Sequence, residues 1–169
     1  MNTLTIDIRK AELQDAHAIS AVHHDAWMGA YSGIIPHKAL MRMVGRRGLE
    51  WWQGAIRRAA NVIVAEIGGD VVGYATLGPS RMRSLPYKGE IYEIYVLPEY
   101  QGLGLGSRLF QSARRMLGDL RFPGLAVRAL RDNDTAIGFY RRLGGSQVVE
   151  TGERIGDTVL PVVVFGWDG

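Results

Sequence analysis

The sequence predicts one α/β domain of the α+β type, in which helices flank a mixed, largely antiparallel sheet. Runs rich in β-branched and aromatic residues alternate with segments of helical periodicity along the whole chain. Two pairs of these runs lie close enough in sequence to form hairpins, one in the middle of the chain and one at its C-terminus. A length of 169 residues, 47% of them hydrophobic, suits a single core. We therefore expect residues 1–169 to form one domain.

One strand and two helical regions are predicted in the N-terminal third of the chain. Leu4 to Arg9 alternates as a half-buried strand does, and apolar residues then recur at helical spacing from Asp15 to Tyr31. A second helical region extends from Pro36, a residue suited to the first helical position, to about Ala60. We expect Gly45 or Gly48 to break this second region.

The middle of the chain predicts a hairpin followed by another strand. The β-rich runs Asn61 to Glu66 and Val71 to Leu77 flank Gly68-Gly69, and a glycine pair in so short a connection is a strong signal for an antiparallel turn. An apolar and aromatic strand then begins at Glu90 and is stopped by Pro98.

A helix, a strand and a second short helix come next. The apolar stripe from Leu105 to Leu117 predicts an amphipathic helix, and Leu125 to Leu130 predicts a strand after it. A strand-helix-strand unit of this length implies a right-handed parallel crossover. Asn133 and Asp134 suit the start of the short helix, which should end near Gly144.

A C-terminal hairpin closes the chain. Its predicted strands are Ser146 to Glu150 and Leu160 to Phe165, joined by a polar loop that contains glycine. The predicted order is therefore strand, helix, helix, three strands, helix, strand, helix and two strands.

The segment between the fourth predicted strand and the next helix has the composition of an anion-binding loop, which we call the glycine loop. It consists of Gln101, Gly102, Leu103, Gly104, Leu105, Gly106 and Ser107. The first N–H groups of a helix have no partner inside the helix and favour phosphate, and glycines let the backbone approach it closely. The spacing fits neither the G-x-G-x-x-G dinucleotide loop nor a Walker loop, which needs Gly-Lys-Ser/Thr.

The glycine loop, after a strand that ends Tyr-Val-x-Pro-Glu, resembles the acetyl-CoA pyrophosphate loop of the GNAT superfamily of N-acetyltransferases. Family members more often have Arg at the position of Gln101, which is a mild departure because the loop binds mainly through backbone N–H groups. A second similarity is an N-x-x-A-x-x-x-Y-x-x-x-G pattern, formed here by Asn133, Ala136, Tyr140 and Gly144. The predicted element order matches as well, so the resemblance covers nearly the whole chain.

The resemblance implies that acetyl-CoA is the cosubstrate. It also implies that Asn133 contacts the pantetheine arm or positions the site, and that the Tyr140 hydroxyl faces the CoA sulfur. The implied cofactor-binding residues are Ile94, Tyr95, Val96, Gln101, Gly102, Leu103, Gly104, Leu105, Gly106, Ser107, Asn133 and Tyr140.

Acetyl transfer to an amine needs a base, because a lysine-type amine has a pKa of about 10.4 and is protonated at pH 7. We rank Glu90 first and Glu93 second for this role, since several family members have a catalytic glutamate at the start of this strand. Three residues apart, the two carboxylates would point to opposite faces unless a bulge intervenes. Tyr140 is the predicted acid for the leaving thiolate, and a backbone N–H around Ile94 to Val96 is the implied donor to the thioester oxygen.

The sequence determines the acceptor less well. The resemblance implies that the acceptor enters against the first two helices and the last hairpin, where Trp27, Tyr31, Ile34, Ile35 and the segment 153–157 would line its site. We expect a primary amine of a small molecule, or of a protein or peptide. Two alternatives stay open at this point, a non-catalytic acyl-CoA-binding module and an acetyltransferase toxin that acts on charged tRNA.

Composition and charge exclude several other kinds of protein. The chain has no cysteine, which excludes a thiol nucleophile and cysteine-bound zinc, and its four histidines form no metal-binding motif. The net charge of +3 is dispersed, so we expect no nucleic-acid partner, and arginines such as Arg46-Arg47 and Arg81 are predicted to be solvated. No apolar run has the length of a membrane span or the form of a signal sequence. We expect a cytoplasmic protein without a metal or a membrane partner, and the resemblance allows a homodimer.

Overall fold

The structure, a computed structural model, describes residues 5–168. Its strands are β1 (Ile6–Lys10), β2 (Asn61–Ile67), β3 (Asp70–Pro79), β4 (Gly89–Val96), β5 (Leu125–Leu130), β6 (Ser146–Ile155) and β7 (Thr158–Trp167). Its helices are α1 (Ala16–Tyr31), α2 (His37–Arg46), α3 (Leu49–Arg57), α4 (Leu105–Asp119) and α5 (Asp134–Arg142). The strands form a seven-stranded sheet in the order β1-β2-β3-β4-β5-β7-β6.

The predicted fold class is confirmed. All neighbouring strands of the sheet are antiparallel except β4 and β5, which are parallel and joined through α4 as the crossover predicted. The second helical region divides at Arg47 and Gly48 into α2 and α3, so there is one more helix than the predicted order contained. Pro36 lies at the N-cap of α2, one position before the helix. The predicted start of β1 at Leu4 lies outside the described residues.

The C-terminal hairpin is longer than predicted. β6 and β7 have ten residues each, and only Gly156 and Asp157 separate them, so most of the expected polar loop 153–157 is strand. The reason is that β6 is the edge of the sheet and only its last residue is buried. A strand without a buried face gives no alternation of apolar and polar residues from which its length could be predicted.

Helices cover both faces of the sheet. On one face, Phe110 of α4 belongs to a core that includes Ile91 of β4 and Val127 of β5. On the other face, Trp52 of α3 packs with the α1 side chains and with Tyr74 of β3. Within residues 5–168, none of the helices combines the length and the apolar character needed to cross a bilayer.

Strand β4 contains a bulge that changes the direction of its side chains. Thr76 of β3 pairs with Glu93, and Leu77 pairs with Ile91, so Tyr92 is an extra residue on β4. Because Ile91 faces the α4 core, Glu90 points to the opposite face. The extra residue brings Glu93 to that face too, beneath α1 to α3. Both predicted carboxylates are therefore on one side of the sheet.

Candidate active site

The glycine loop has the backbone geometry of an anion cradle at the start of α4. Gly102 and Gly104 have φ angles of +83° and +80°, and a Cβ added to either would meet nothing within 4 Å. These positions therefore need glycine for their left-handed backbone, since neither is crowded. Gly104 is the N-cap of α4, and no side chain caps the helix there. The first N–H groups of α4 thus have no side-chain cap, as a diphosphate site of the kind predicted from the sequence requires.

The third glycine has a different role from the first two. A Cβ on Gly106 would lie 3.2 Å from the Phe139 ring of α5. The absence of a side chain at this position therefore lets α4 and α5 pack closely behind the loop. Gln101 connects the loop to β4, since its Nε2 donates a hydrogen bond of 3.2 Å to the carbonyl of Val96.

Strands β4 and β5 separate to form a gap in the sheet, which we call the strand gap. Their pairing consists of Gly89 with Leu125 and Glu90 with Ala126 only, within the described residues. Beyond these pairs, the β5-facing edge of residues 94–96 has no strand partner in the described sheet. This edge is where the family resemblance implies the backbone donor to a thioester oxygen, and it ends beside the glycine loop.

Asn133 and Tyr140 lie on the α5 side of the strand gap. The Asn133 side-chain oxygen accepts a hydrogen bond of 3.3 Å from the N–H of Ala136, so Asn133 caps α5 as the sequence predicts. Tyr140 is only 6% exposed, with Phe139 and Phe165 ring centroids 5.1 and 5.8 Å from its own. Burial raises the pKa of its hydroxyl, and the charge that an ionised Tyr31 would carry raises it further. The hydroxyl therefore stays protonated and can serve as a proton donor.

A cavity of about 380 Å³, which we call the central cavity, lies between α1 to α3 and the sheet. Its size is within the range of small-molecule sites. Aromatic side chains form much of its wall. They are Trp27, Tyr31, Trp51, Trp52, Tyr92 and Tyr95.

Three of the four residues predicted to contact the acceptor line this cavity. They are Trp27, Tyr31 and Ile35, whereas Ile34 lines a neighbouring depression formed by residues 32–37 and Leu40. The hydroxyls of Tyr31 and Tyr95 are 2.5 Å apart, which joins α1 to β4 at the cavity wall. Glu153 and Ile155 of the segment 153–157 also line the cavity.

Of the two predicted bases, Glu93 lines the central cavity. Its carboxylate forms an ion pair with Arg47 and accepts a hydrogen bond of 2.8 Å from the Tyr74 hydroxyl. The side chain is 9% exposed, so it touches the cavity while being held from behind. The guanidinium of Arg47 also stacks on Trp51, with its central carbon 4.5 Å from the ring centroid.

Behind Glu93 is a buried histidine. Because Tyr74 donates its proton to Glu93, its oxygen accepts from Nδ1–H of His23, 3.0 Å away. Burial lowers the pKa of His23 to about 3, and the positive charge of Arg47 acts in the same direction. His23 is therefore neutral at physiological pH, and it fixes the orientation of the Tyr74 hydroxyl.

Glu90 has a different environment. It is completely buried, and it is absent from the wall of the central cavity. Its carboxylate accepts hydrogen bonds from the backbone N–H of Arg81 at 2.9 Å and from the Arg81 guanidinium at 2.6 Å. These bonds attach the loop between β3 and β4 to the sheet. The geometry thus suits Glu90 for holding this loop.

Several residues of the site were not identified from the sequence. The prediction that Arg47 is solvated is wrong, because its side chain is 27% exposed and pairs with Glu93. Arg81 is 56% exposed, as predicted, but its pairing with Glu90 was not foreseen. Tyr74 was missed as the partner of Glu93, and His23 as the partner of Tyr74, because these contacts span 19 and 51 positions of sequence. Arg128 of β5, which also lines the central cavity, carried no sequence signal at all.

Known proteins match both the sequence and the fold. Residues 21–145 match the acetyltransferase (GNAT) family. The uncharacterized N-acetyltransferase YuaI of Bacillus subtilis is 32% identical over 163 residues, which cover 96% of this chain and 92% of that protein. The L-methionine sulfoximine/L-methionine sulfone acetyltransferase of Pseudomonas paraeruginosa is 28% identical over 161 residues, which cover 90% of this chain and 89% of that one.

Among solved structures, PaiA N-acetyltransferase from Thermoplasma acidophilum, in complex with coenzyme A, has the same fold. Its TM-score is 0.76 at 19% identity, over 94% of this chain and 98% of that chain. The family resemblance predicted from the glycine loop and the Asn133 pattern is confirmed. The chain belongs to the acetyltransferase (GNAT) family and is an acyltransferase.

Proposed function

We propose that this enzyme transfers the acetyl group of acetyl-CoA directly to the primary amine of a small molecule. Acetyl-CoA is the cosubstrate, and it supplies the activated acyl group. The observation that carries the proposal is the position of Glu93, which lines a cavity of about 380 Å³ on the strand that also borders the strand gap. The acceptor would occupy the central cavity and the cosubstrate the gap and the glycine loop, so the two meet at β4.

Glu93 is the proposed base. An amine of the lysine type is protonated at neutral pH and has to lose a proton before it can attack a carbonyl carbon. Glu93 accepts this proton, directly or through one water molecule. Arg47 compensates the charge of the carboxylate, and Tyr74 holds one of its oxygens, so that the carboxylate has a fixed direction.

Tyr140 is the proposed acid. As the C–N bond forms and the C–S bond breaks, the departing sulfur gains negative charge and needs a proton. Burial keeps the pKa of the Tyr140 hydroxyl high, so this hydroxyl holds its proton until then. The backbone N–H groups of residues 94–96 would donate to the carbonyl oxygen, which gains charge in the same step.

The central cavity supports a small molecule as the acceptor. The cavity is bordered by α1, by α3 and by the β6–β7 hairpin, and its volume suits one compact ligand. The acetyltransferase of L-methionine sulfoximine and L-methionine sulfone, which aligns with most of this chain, also supports a small acceptor. The chain has no cysteine, so transfer would not pass through an acyl-cysteine.

The direct test is a CoA-release assay with purified protein and acetyl-CoA. The acceptors are polyamines, arylalkylamines, free amino acids and a set of tetrapeptides with different N-termini. We expect turnover with at least one small amine and much slower turnover with every peptide. Acetylation restricted to peptides would contradict the small-molecule assignment. Saturable acetyl-CoA binding without turnover of any acceptor would contradict transfer to an amine.

A further inference from the structure

We propose that the acceptor carries a carboxylate as well as the amine, and that Arg128 binds this carboxylate. The proposal rests on the proposed function only in assuming that the acceptor occupies the central cavity. It names the acceptor class as amino acids, and it assigns a role in specificity to a residue of β5.

An arginine of the cavity wall that has no carboxylate partner within the described residues is the first argument. Three arginines and two glutamates line the central cavity within the described residues, namely Arg47, Arg81, Arg128, Glu93 and Glu153. Arg47 is paired with Glu93, and Arg81 is paired with Glu90, which lies beneath the wall. The Nε of Arg128 is buried and has no hydrogen-bond partner in residues 5–168. A buried guanidinium N–H without an acceptor is costly, so a ligand that supplies one is favoured.

The position of Arg128 is the second argument. β5 pairs with β4 only as far as Ala126, and Arg128 is two residues beyond, on the same face of β5. It therefore lies at the edge of the strand gap, on the opposite side of the gap from Glu93. An acceptor with its amine at Glu93 and its anion at Arg128 would bridge the gap where the acetyl group is transferred. A carboxylate on one side of the gap, Glu93, and a guanidinium on the other, Arg128, suit a zwitterionic acceptor.

The charges of the other walls indicate a monoanion of the carboxylate type. A phosphate would bring about two negative charges into a cavity that already contains Glu93 and Glu153. A carboxylate brings one, and it matches the planar fork of a guanidinium with two parallel hydrogen bonds. The remaining wall is mostly aromatic and aliphatic, with Trp27 and Tyr95 in contact at a centroid distance of 5.7 Å. This wall favours an apolar or uncharged side chain on the acceptor.

The test compares matched acceptors that differ only at the carboxylate. The twenty standard L-amino acids and their C-terminal amides are assayed by CoA release at about pH 9, where arginine is still charged, and kcat/KM is expressed per free-base amine because the α-amine of an acid has a higher pKa than that of its amide. We expect wild-type kcat/KM to favour the acid over the amide by about 10- to 100-fold for the best side chain. Equal values, or a preference for amides, would overturn the proposal.

Variants separate a binding role of Arg128 from a structural one. Arg128→Met should abolish the preference for the acid by lowering kcat/KM for acids about 10- to 100-fold, while amides stay within about threefold of wild type. Arg128→Lys should keep part of the preference, because the charge remains and the fork is lost. Arg131→Met is the matched control, since Arg131 follows β5, is half exposed and pairs with Glu150. A parallel loss on acids and amides in Arg128→Met would mean that Arg128 only supports the fold.

A binding measurement makes the outcome independent of turnover. With CoA in place of acetyl-CoA no transfer can occur, and the affinities of each acid and its amide are measured by calorimetry on the CoA complex. Tighter binding of acids that is lost in Arg128→Met supports the carboxylate site even if the assay finds no turnover, in which case only the proposed function fails. Equal affinities for acid and amide overturn the carboxylate site even if amines are acetylated. If Arg128→Met does not fold, the wild-type pairs and Arg128→Lys still decide.

Discussion

The two halves of the proposed active site are built in different ways. The cosubstrate half depends on backbone: two left-handed glycines, the free start of α4 and an unpaired edge of β4. The acceptor half depends on side chains that converge from α1, α2, α3 and six strands on the central cavity. Backbone geometry suits a cosubstrate that all family members share, because it tolerates changes of side chain. A side-chain wall can change its charge and shape one residue at a time, which is how an acceptor would be selected.

The two glutamates of β4 provide the sharpest test of this division. Glu93→Gln should lower kcat/KM for the acceptor about 10²- to 10³-fold at pH 7, because the amine loses its base. The KM for acetyl-CoA should stay unchanged, since Glu93 faces the central cavity and not the glycine loop. Steady-state kinetics with both substrates varied measures these quantities.

Glu90→Gln is the matched control for that experiment. Glu90 is fully buried and accepts hydrogen bonds from Arg81, so the variant should lower the free energy of unfolding by about 1 to 3 kcal/mol. Activity per folded molecule should fall by less than tenfold. If Glu90→Gln instead loses as much activity as Glu93→Gln without loss of stability, Glu90 is the base and the assignment made from the cavity is wrong.

Tyr140→Phe tests the point where the two halves meet. Loss of the acid should lower kcat about 100-fold and leave the KM for acetyl-CoA within about twofold. The pKa of Tyr140 is raised, so its proton stays bound as pH increases, and wild-type kcat should show no decline from this group up to about pH 10. Tyr87→Phe is the control, since Tyr87 packs beside Gly124 and Gly166, where β4 and β5 are still paired. A kcat in Tyr140→Phe equal to that of Tyr87→Phe would exclude Tyr140 as the acid.

Gly104→Ala addresses the cosubstrate half alone. Gly104 has φ of +80° and open space around it, so a methyl group strains the backbone and occupies the path of an approaching phosphate. The KM for acetyl-CoA should rise about tenfold, with little change in kcat or in the KM for the acceptor. Gly118→Ala, in the same helix and equally uncrowded, should leave the kinetics unchanged and raise stability by up to about 1 kcal/mol. A change in acceptor KM would show that the two halves are not separable.

The same division explains what the sequence could predict. The turn at Gly68-Gly69, the strand Leu125–Leu130 and the glycine loop each depend on residues that are adjacent in the chain. Their chemistry is therefore local, and it leaves a pattern of turn residues, β-branched runs and glycine spacing. The helix cap at Asn133 was predictable for the same reason.

The acceptor half could not be predicted in this way. Glu93 faces the central cavity because of the bulge at Tyr92, and a tyrosine at that position does not predict a bulge. Arg47 pairs with Glu93 across 46 positions of sequence. Nothing in the sequence distinguishes either residue from a charged side chain in solvent. The Nε of Arg128 has no partner among residues 5–168, whereas Arg47 and Arg81 pair with the two carboxylates of β4. Such pairings follow from the three-dimensional arrangement and leave no periodic signal.

The smallest effect at neutral pH is expected from His23, the buried residue behind Glu93. In the folded protein its pKa is about 3, whereas in the unfolded chain it is near the ordinary 6.5, so between these values the unfolded state binds more protons. Stability should therefore fall as pH decreases below about 6.5, with a contribution from His23 approaching 1.4 kcal/mol per pH unit.

His23→Gln should remove this contribution, so that its free energy of unfolding changes less between pH 7 and pH 5 than that of wild type. His24→Gln, a change at the exposed neighbouring histidine of α1, should keep the wild-type slope. Urea denaturation at several pH values measures both slopes, and equal slopes in His23→Gln and wild type would mean that another group causes the acid sensitivity. A reduced slope would show that His23, in the acceptor half, makes the stability of the fold depend on pH. The buried neutral imidazole would then lower stability in acid while it orients Tyr74 and, through Tyr74, Glu93.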